Sequence, residues 1–527
     1  MMFCAVIAQS ATASQLLRTG RGASGRHTIS KRGCSARGKI PRDELVRAIA
    51  PLATAGFSNN EKSKPRFVTG YLNGTDAGAG RSPNAMAAPA WDMSVMNTDH
   101  RPEQAHPATW VPTLYFAEGI PFFAISLIAG ILYKRLGMPN DAIALYTSWL
   151  LLPWSLKPFW SPLLEMFKTK KFFVVSFEFI VGVSLALIAL CLPLANYFRY
   201  TLALFVLVAF CASTHDIAAD GLYISSLSDK QQAAYAGWQG GFFNVARFFS
   251  QGALVILAGY LETKTDVRHA WMAIFGAMGL ILVGVSLYHA RMLPAGAAGR
   301  RSESWHQMAA TFGDVIVSFF KKPNIWWLLV FILLYRAGEG QVVRIGPLFL
   351  VDKRALGGLG LTTEQFGTIY GTFGTVAFIA GSVAGGYFTS WMGLRRALLP
   401  LIVVMNLPNL AYVYLSTALP TNAALVATAL SAEMFGYGFG FVGVILLMMQ
   451  EIAPGKYQTA HYAFANSLMN LGLMIPGTVS GKIQMALGYR NFFIWVLVAS
   501  IPALILARMI PIHSGAAPPV AEPVTVP

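Results

Sequence analysis

From Trp110 to about residue 511 the sequence is cut into apolar runs of about 20 residues, each long enough to cross roughly 30 Å of hydrocarbon. No water is present there to bond backbone N–H and C=O groups, so each run has to form a helix that pairs them internally. The chain reads as an all-α, polytopic membrane protein. Composition agrees: 55% of its 527 residues are hydrophobic and 12% are charged. An ordinary soluble domain carries roughly twice that charged fraction. The formal charge of +16 invites comparison with nucleic-acid binders, yet the basic residues are spread over the tail and loop ends, where the positive-inside rule puts them. The lipid bilayer is the expected partner, and nucleic acid is not.

The runs and their breaks place twelve spans, at 110–132, 141–164, 172–193, 199–226, 231–260, 269–289, 323–350, 363–390, 396–417, 422–450, 456–482 and 489–511. The longest loop between them holds Arg291, Arg300, Arg301, Lys321 and Lys322, which assigns that side and both termini to the cytoplasm. The expected organisation is an extension at 1–109, a six-helix bundle at 110–289, a linker at 290–322, a second six-helix bundle at 323–511 and a disordered tail at 512–527. The extension is rich in Gly, Ala, Ser and Arg and has no acidic residue before Asp43. Its first residues, MMFCAVIA, are too short for a secretory signal and lack a leading basic residue. An acid-poor, Arg- and Ser-rich start resembles a transit peptide, but the reading adopted is a disordered or spurious extension, with Met93 or Met96 as alternative starts. Cys4, Cys34, Cys191 and Cys211 form no CxxC pair and no metal spacing, so neither metal nor cofactor is expected, and Cys191 and Cys211 read as packing residues.

The two halves echo one another. LYFAEG at 114–119 parallels LYRAGEG at 334–340, and each is followed at similar spacing by a basic pair, Lys134-Arg135 and Lys353-Arg354. Lys170-Lys171 after the second span answers Arg395-Arg396 after the eighth, and KQQAAYAG at 230–237 answers KYQTAHYA at 456–463. Two parallel six-helix repeats with a site between them near mid-membrane describe a major facilitator architecture. GGYFTSWMGLRR at 385–396 also resembles the loop signature of that superfamily.

Five strongly ionisable residues of the first half fall well inside spans: Glu118, Lys157, Asp216, Asp220 and Arg247. Asp216 and Asp220 are four apart and share one helix face, about 6 Å from each other. Counting at 1.5 Å per residue puts all five between the midplane and the cytoplasmic side, within reach of one cavity. Three acids against two bases leave one carboxyl without a permanent partner, and burial and a like-charged neighbour both penalise its ionisation. Such a group can take a proton on one side and release it on the other. Asp216, Asp220, Glu118 and, about 100° round the helix, His215 are thus the candidate proton-coupling residues. The competing reading is structural, in which buried pairs and a lone histidine tie helices together. Lys157 and Arg247 suit either an anionic substrate or the neutralisation of these acids. In the second half Arg336 and Glu339 are three apart and can pair, Arg344 is left to attract an anion, Glu433 lies in a later span, and Glu339 is the repeat partner of Glu118.

The second span carries Pro153, Pro158 and Pro162 and has to kink. Trp154 beside that kink, and Tyr115, are the aromatic candidates for substrate contact. The segment QGGFFNVARFFSQG at 239–252 spaces small residues for close helix contact and reads as a rocking interface rather than a ligand loop.

Four segments resemble the AmpG-type muropeptide permeases and the wider peptide–acetyl-CoA–drug transporter family: YFAEGIPF at 115–122, LYTSWLLLPWSLKPFWSPLLE at 145–165, STHDIAADGLY at 213–223 and KQQAAYAGWQGGFFNVARF at 230–248. The likeness extends over about 110–511. It implies a twelve-helix importer of the bacterial inner membrane, driven by protons and carrying anhydro-muropeptides for cell-wall recycling and β-lactamase induction. It places the acidic pair of the fourth span at Asp216 and Asp220, gives lactyl and peptide carboxylates to Arg247 or Lys157, and requires no cofactor. The expected partners are protons and a small glycopeptide or other polar solute, with the chain working as a monomer. Two alternatives stand beside it: a major facilitator transporter of another solute (a sugar conjugate, peptide or acyl-CoA) and a polytopic membrane enzyme. The second has no HExxH or nucleophile–His–Asp set to support it. A chain beginning at Met93 is expected to insert and transport as the full chain does; loss of membrane insertion or of uptake would show that the extension matters.

Overall fold

The computed structural model describes residues 106–166, 168–296 and 305–512. The extension up to residue 105 and the C-terminal tail from 513 lie outside them. The described residues are helical almost throughout and contain no strand. Six helices make up the first half: α1 (Pro107–Arg135), α2 (140–166), α3 (Lys170–Cys191), α4 (Tyr197–Ser226), α5 (Asp229–Lys264) and α6 (Val267–Met292). A connecting helix, α7 (Trp305–Phe320), precedes α8 (Ile325–Val351), α9 (Thr363–Met392), α10 (Leu394–Ala418), α11 (Ala423–Ile452), α12 (458–487) and α13 (489–509). Among the described residues nine helices are individually long and apolar enough to cross a membrane. The last of these, Gln458–Met509, is two spans joined at Gly488, whose φ of 73° only glycine adopts readily. With α2 and α8, each interrupted once, the rods number twelve.

The expected spans are recovered with ends moved by a few residues, and the differences have local causes. α1 begins at Pro107, where His106 accepts from the Ala108 N–H and proline suits the first turn. Thr169, Asp266 and Asn422 cap α3, α6 and α11 in the same way. α2 breaks at Leu150–Leu151, just ahead of Pro153, as its prolines require. The expected linker is not featureless. About half of it, Trp305–Phe320, folds as α7, which meets α8 at 85°.

α1 and the spans of one parity run from the end that carries the α6–α7 connection, here called the linker side, to the far side. On the far side the two halves are locked along two seams, α5 against α9 and α2 against α12. Each seam is cut by a pair of glycines four residues apart. A Cβ on Gly371 would lie 1.9 Å from the Gln251 carbonyl oxygen, and one on Gly367 2.7 Å from the Ile256 nitrogen. Gly481 and Gly477 make the matching notch against Asp141 and Ser148. Small residues at such positions let helix backbones approach in lipid. Polar contacts close the same end: Lys134 reaches Asp352 at 2.7 Å, and Asn140 donates to Gln484 at 2.8 Å and Tyr489 at 2.7 Å. Towards the linker side the halves part along α5, where Gly237 and Gly241 have nothing within 4 Å of a would-be Cβ.

The notch predicts its own test. Gly371→Ala is expected to wedge the α5–α9 seam open, seen as a several-fold faster reaction of a far-side probe cysteine (Leu361→Cys) with an impermeant maleimide. An unchanged rate would mean that the seam is not what seals this end.

Candidate transport site

A central cavity of about 230 Å³ lies between the halves, lined from the first by Glu118, Trp154, Lys157, Asp216 and Arg247 and from the second by Arg336, Arg344 and Tyr370. Of the sequence candidates, Trp154 is 8% exposed and stands edge-on to Phe122, with ring centres 5.5 Å apart.

The acids of the first half do gather. Lys157 on α2 and Asp216 on α4 form a direct, very short ion pair, and Glu118 on α1 is within hydrogen-bonding reach of Asp216 while its Oε2 has no partner. One turn along α4, Asp220 accepts from the Tyr115 hydroxyl at 3.1 Å, and that hydroxyl in turn accepts from the Gln239 amide of α5. Tyr115 therefore sits behind the cavity wall as a partner of Asp220, and Glu339 likewise lies behind Arg336 rather than on the lining.

Arg247 departs from the expected charge balance. It pairs with none of the three acids and points into the second half, with its guanidinium 4.3 Å from the Phe378 ring centre and one nitrogen 3.9 Å from the Met434 sulfur. Directly after Arg247, α5 widens into a π-turn from Phe248 to Ala253. Lys157 thus faces Glu118, Asp216 and Asp220 alone. The segment 239–252 also departs from its reading as a rocking interface only. Gly252 does lie in the seam, 2.8 Å from Thr372 by its would-be Cβ, but Phe243, Asn244, Arg247 and Gln251 line the cavity.

His215 is turned away from the cavity. Its Nε2 is 3.1 Å from Glu178 of α3, whose two oxygens each lie 2.8 Å from Nδ1 of His289 on α6, and His289 Nε2 is 2.9 Å from the Thr113 hydroxyl of α1. This buried cluster joins four helices. Glu178 and His289 were missed by sequence reasoning, although Glu178 stands alone in the apolar run FVVSFEFIVG and that isolation was a usable signal.

In the second half Arg336 and Glu339 lie 3.0 Å apart, close enough for an ion pair but without hydrogen-bond alignment, and Arg336 also rests on the Phe441 ring at 4.8 Å. Arg344 on α8 is 6% exposed and donates to the Ser126 carbonyl of α1 at 2.8 Å, while its Nη2 has no partner. Glu433 is buried with an oxygen unpartnered. No group of three or more His, Cys, Asp or Glu among the described residues is placed to hold a metal ion.

The family model of the Major Facilitator Superfamily matches residues 113–477. The chain belongs to that superfamily. Among curated proteins, this major facilitator chain is 23% identical over 404 residues to the anhydromuropeptide permease of Escherichia coli (strain K12), covering 75% of this chain and 77% of the permease. Solved structures share its fold at low identity. A mutant of the nucleoside transporter NupG matches with a TM-score of 0.59 at 14% identity, over 76% of this chain and 98% of that one. A proton-dependent oligopeptide transporter matches with 0.57 at 15%, over 75% and 96%. The protein is a membrane transporter of the major facilitator type, not an enzyme, and takes a small-molecule substrate.

The Lys157–Asp216 pair gives a stability prediction. Removing one partner of a buried ion pair costs about 3–5 kcal/mol, whereas replacing both with uncharged groups is often neutral. Lys157→Met is expected to lower the thermal unfolding midpoint of the purified protein clearly, and Lys157→Met with Asp216→Asn to recover most of the loss. A double variant no better than the single would place the lysine's main partner elsewhere.

Proposed function

We propose that the chain is a proton-coupled importer of anhydro-muropeptides in the bacterial inner membrane, serving cell-wall recycling. The linker and both termini are cytoplasmic, and the bundles at 110–289 and 323–511 rock as two bodies of a monomer. The observation that carries the proton coupling is the charge imbalance at the first-half site: among the described residues, three carboxyls gather around the single ammonium of Lys157. Asp216 has Lys157. Among the described residues Asp220 hydrogen-bonds to the Tyr115 hydroxyl alone, and Glu118 keeps an unpartnered oxygen. In a cavity wall with so little compensation, a carboxyl that binds a proton while the far side is open and sheds it on the linker side is a natural coupling group. The cargo reading is supported by the similarity to the Escherichia coli permease and by the lining itself. Trp154 and Phe122 offer flat faces to sugar rings, and Lys157, Arg247 and Arg344 offer cations to lactyl and peptide carboxylates.

Proteoliposome uptake of labelled anhydro-muropeptide, with and without an inward proton gradient, tests both parts. The expected result is accumulation that collapses when the gradient is removed. Asp220→Asn is expected to abolish accumulation while retaining much of the counterflow exchange. Accumulation that survives the substitution unchanged would take the coupling role from Asp220, and uptake of a different solute in place of the muropeptide would leave the transporter without this cargo.

A further inference from the structure

The arginines that line the cavity are not matched by the acids around them. Arg336 has Glu339 beside it. Arg247 and Arg344 form no ion pair among the described residues; Glu433 and Glu339 act on Arg247 only from a distance. A guanidinium withdrawn from water without a counter-charge is strongly disfavoured, and in transporters such groups mark the path of the solute.

The two unmatched arginines also cross the interface in opposite directions. Arg247 leaves α5 of the first half and lies on Phe378 of α9, against Met434 of α11, with the Gln251 amide oxygen at 3.3 Å from its Nε. Arg344 leaves α8 of the second half and donates one Nη to Ser126 of α1, in the wide turn Ala124–Ile128, which leaves the other Nη unpartnered at the cavity. Both line the central cavity together with Tyr370.

We propose that Arg344 and Arg247, one from each bundle, form a subsite for a single carboxylate of the transported solute. This rests on the cavity being the solute site, as proposed above, and not on the cargo being a muropeptide. A carboxylate suits two guanidiniums that approach from opposite bundles, since each of its two oxygens can accept from one of them. A planar carboxylate also accepts two parallel N–H bonds from a guanidinium fork, which a lysine in the same place does not offer. Because each arginine belongs to one bundle and leans on the other, a carboxylate held between them favours their approach and links recognition of the anion to closure.

The test uses two probes on the purified full-length chain, N-acetylmuramate with its free lactyl carboxylate and the corresponding primary carboxamide, titrated calorimetrically beside muropeptide uptake in proteoliposomes. The wild-type chain is expected to bind the carboxylate about tenfold more tightly than the amide, a difference of about 1.4 kcal/mol. Arg344→Gln is expected to bring the ratio close to one with amide affinity unchanged, and Arg344→Lys to restore it in part. Equal binding of both probes by the wild type, no binding of the carboxylate probe, or equal weakening of both by Arg344→Gln would each overturn the subsite, the last by showing a structural role. Should Arg344→Gln fail to fold, Arg247→Gln makes the same comparison with the same expectation. Discrimination between the probes without muropeptide uptake removes the cargo and keeps the subsite. Uptake without discrimination does the reverse.

Discussion

A charge carried into a bilayer-spanning protein has to be answered by an opposite charge, by hydrogen bonds or by a ligand, because no bulk water stands by to solvate it. That constraint organises the centre of this molecule. The first bundle gathers acids, with Glu118 and Asp216 on the lining beside Lys157 and Asp220 behind them, and the second gathers bases, with Arg336 and Arg344 joined across the gap by Arg247. The cavity between them thus has an acidic wall and a basic wall, and each is left short of compensation. A mobile proton answers the first deficit and an anionic solute the second. Both remedies are temporary, which is what a transport cycle needs.

The surrounding packing keeps those charges where a small rotation matters. The far-side seams bring backbones together through Gly367 and Gly371 on α9 and Gly477 and Gly481 on α12, so the helices there have no side-chain padding to absorb a shift. The Lys134–Asp352 pair and the Asn140–Tyr489 contact hold the same end by polar groups that can be remade with water once separated. Beyond the α5–α9 seam the halves part along α5, and the crossing arginines lie near that transition. Movement about the seams therefore changes the surroundings of Arg247 and Arg344 more directly than those of Glu178, His215 and His289, which stay inside one bundle.

The sequence was legible where a residue's role follows from its own chemistry and its place in a helical period. The four-residue spacing of Asp216 and Asp220, the proline-broken α2 and the pairing of Arg336 with Glu339 all follow from local geometry and all appear in the structure. Legibility failed where direction depends on neighbours. His215 adjoins Asp216 in the chain but meets Glu178, because consecutive helical residues face about 100° apart and α3 lies on that side. Of the two roles open to Arg247, neutralising the acids is not the one the structure shows: the guanidinium lies on Phe378 and against Met434, and which bundle a long side chain leans on is set by packing that its own helix does not encode.

By itself, then, the sequence determined the class of solution: apolar runs long enough to span lipid, charges few enough to be exceptional, and a doubled pattern that allows two bundles. These depend on the length and polarity of contiguous segments, which are properties of the chain before it folds. Which acid meets the lone lysine, which arginine is left without a partner, and which glycines bring the bundles into contact were decided only by tertiary structure. Each of these depends on the rotation of one helix against another, and that rotation is set by packing between residues hundreds of positions apart.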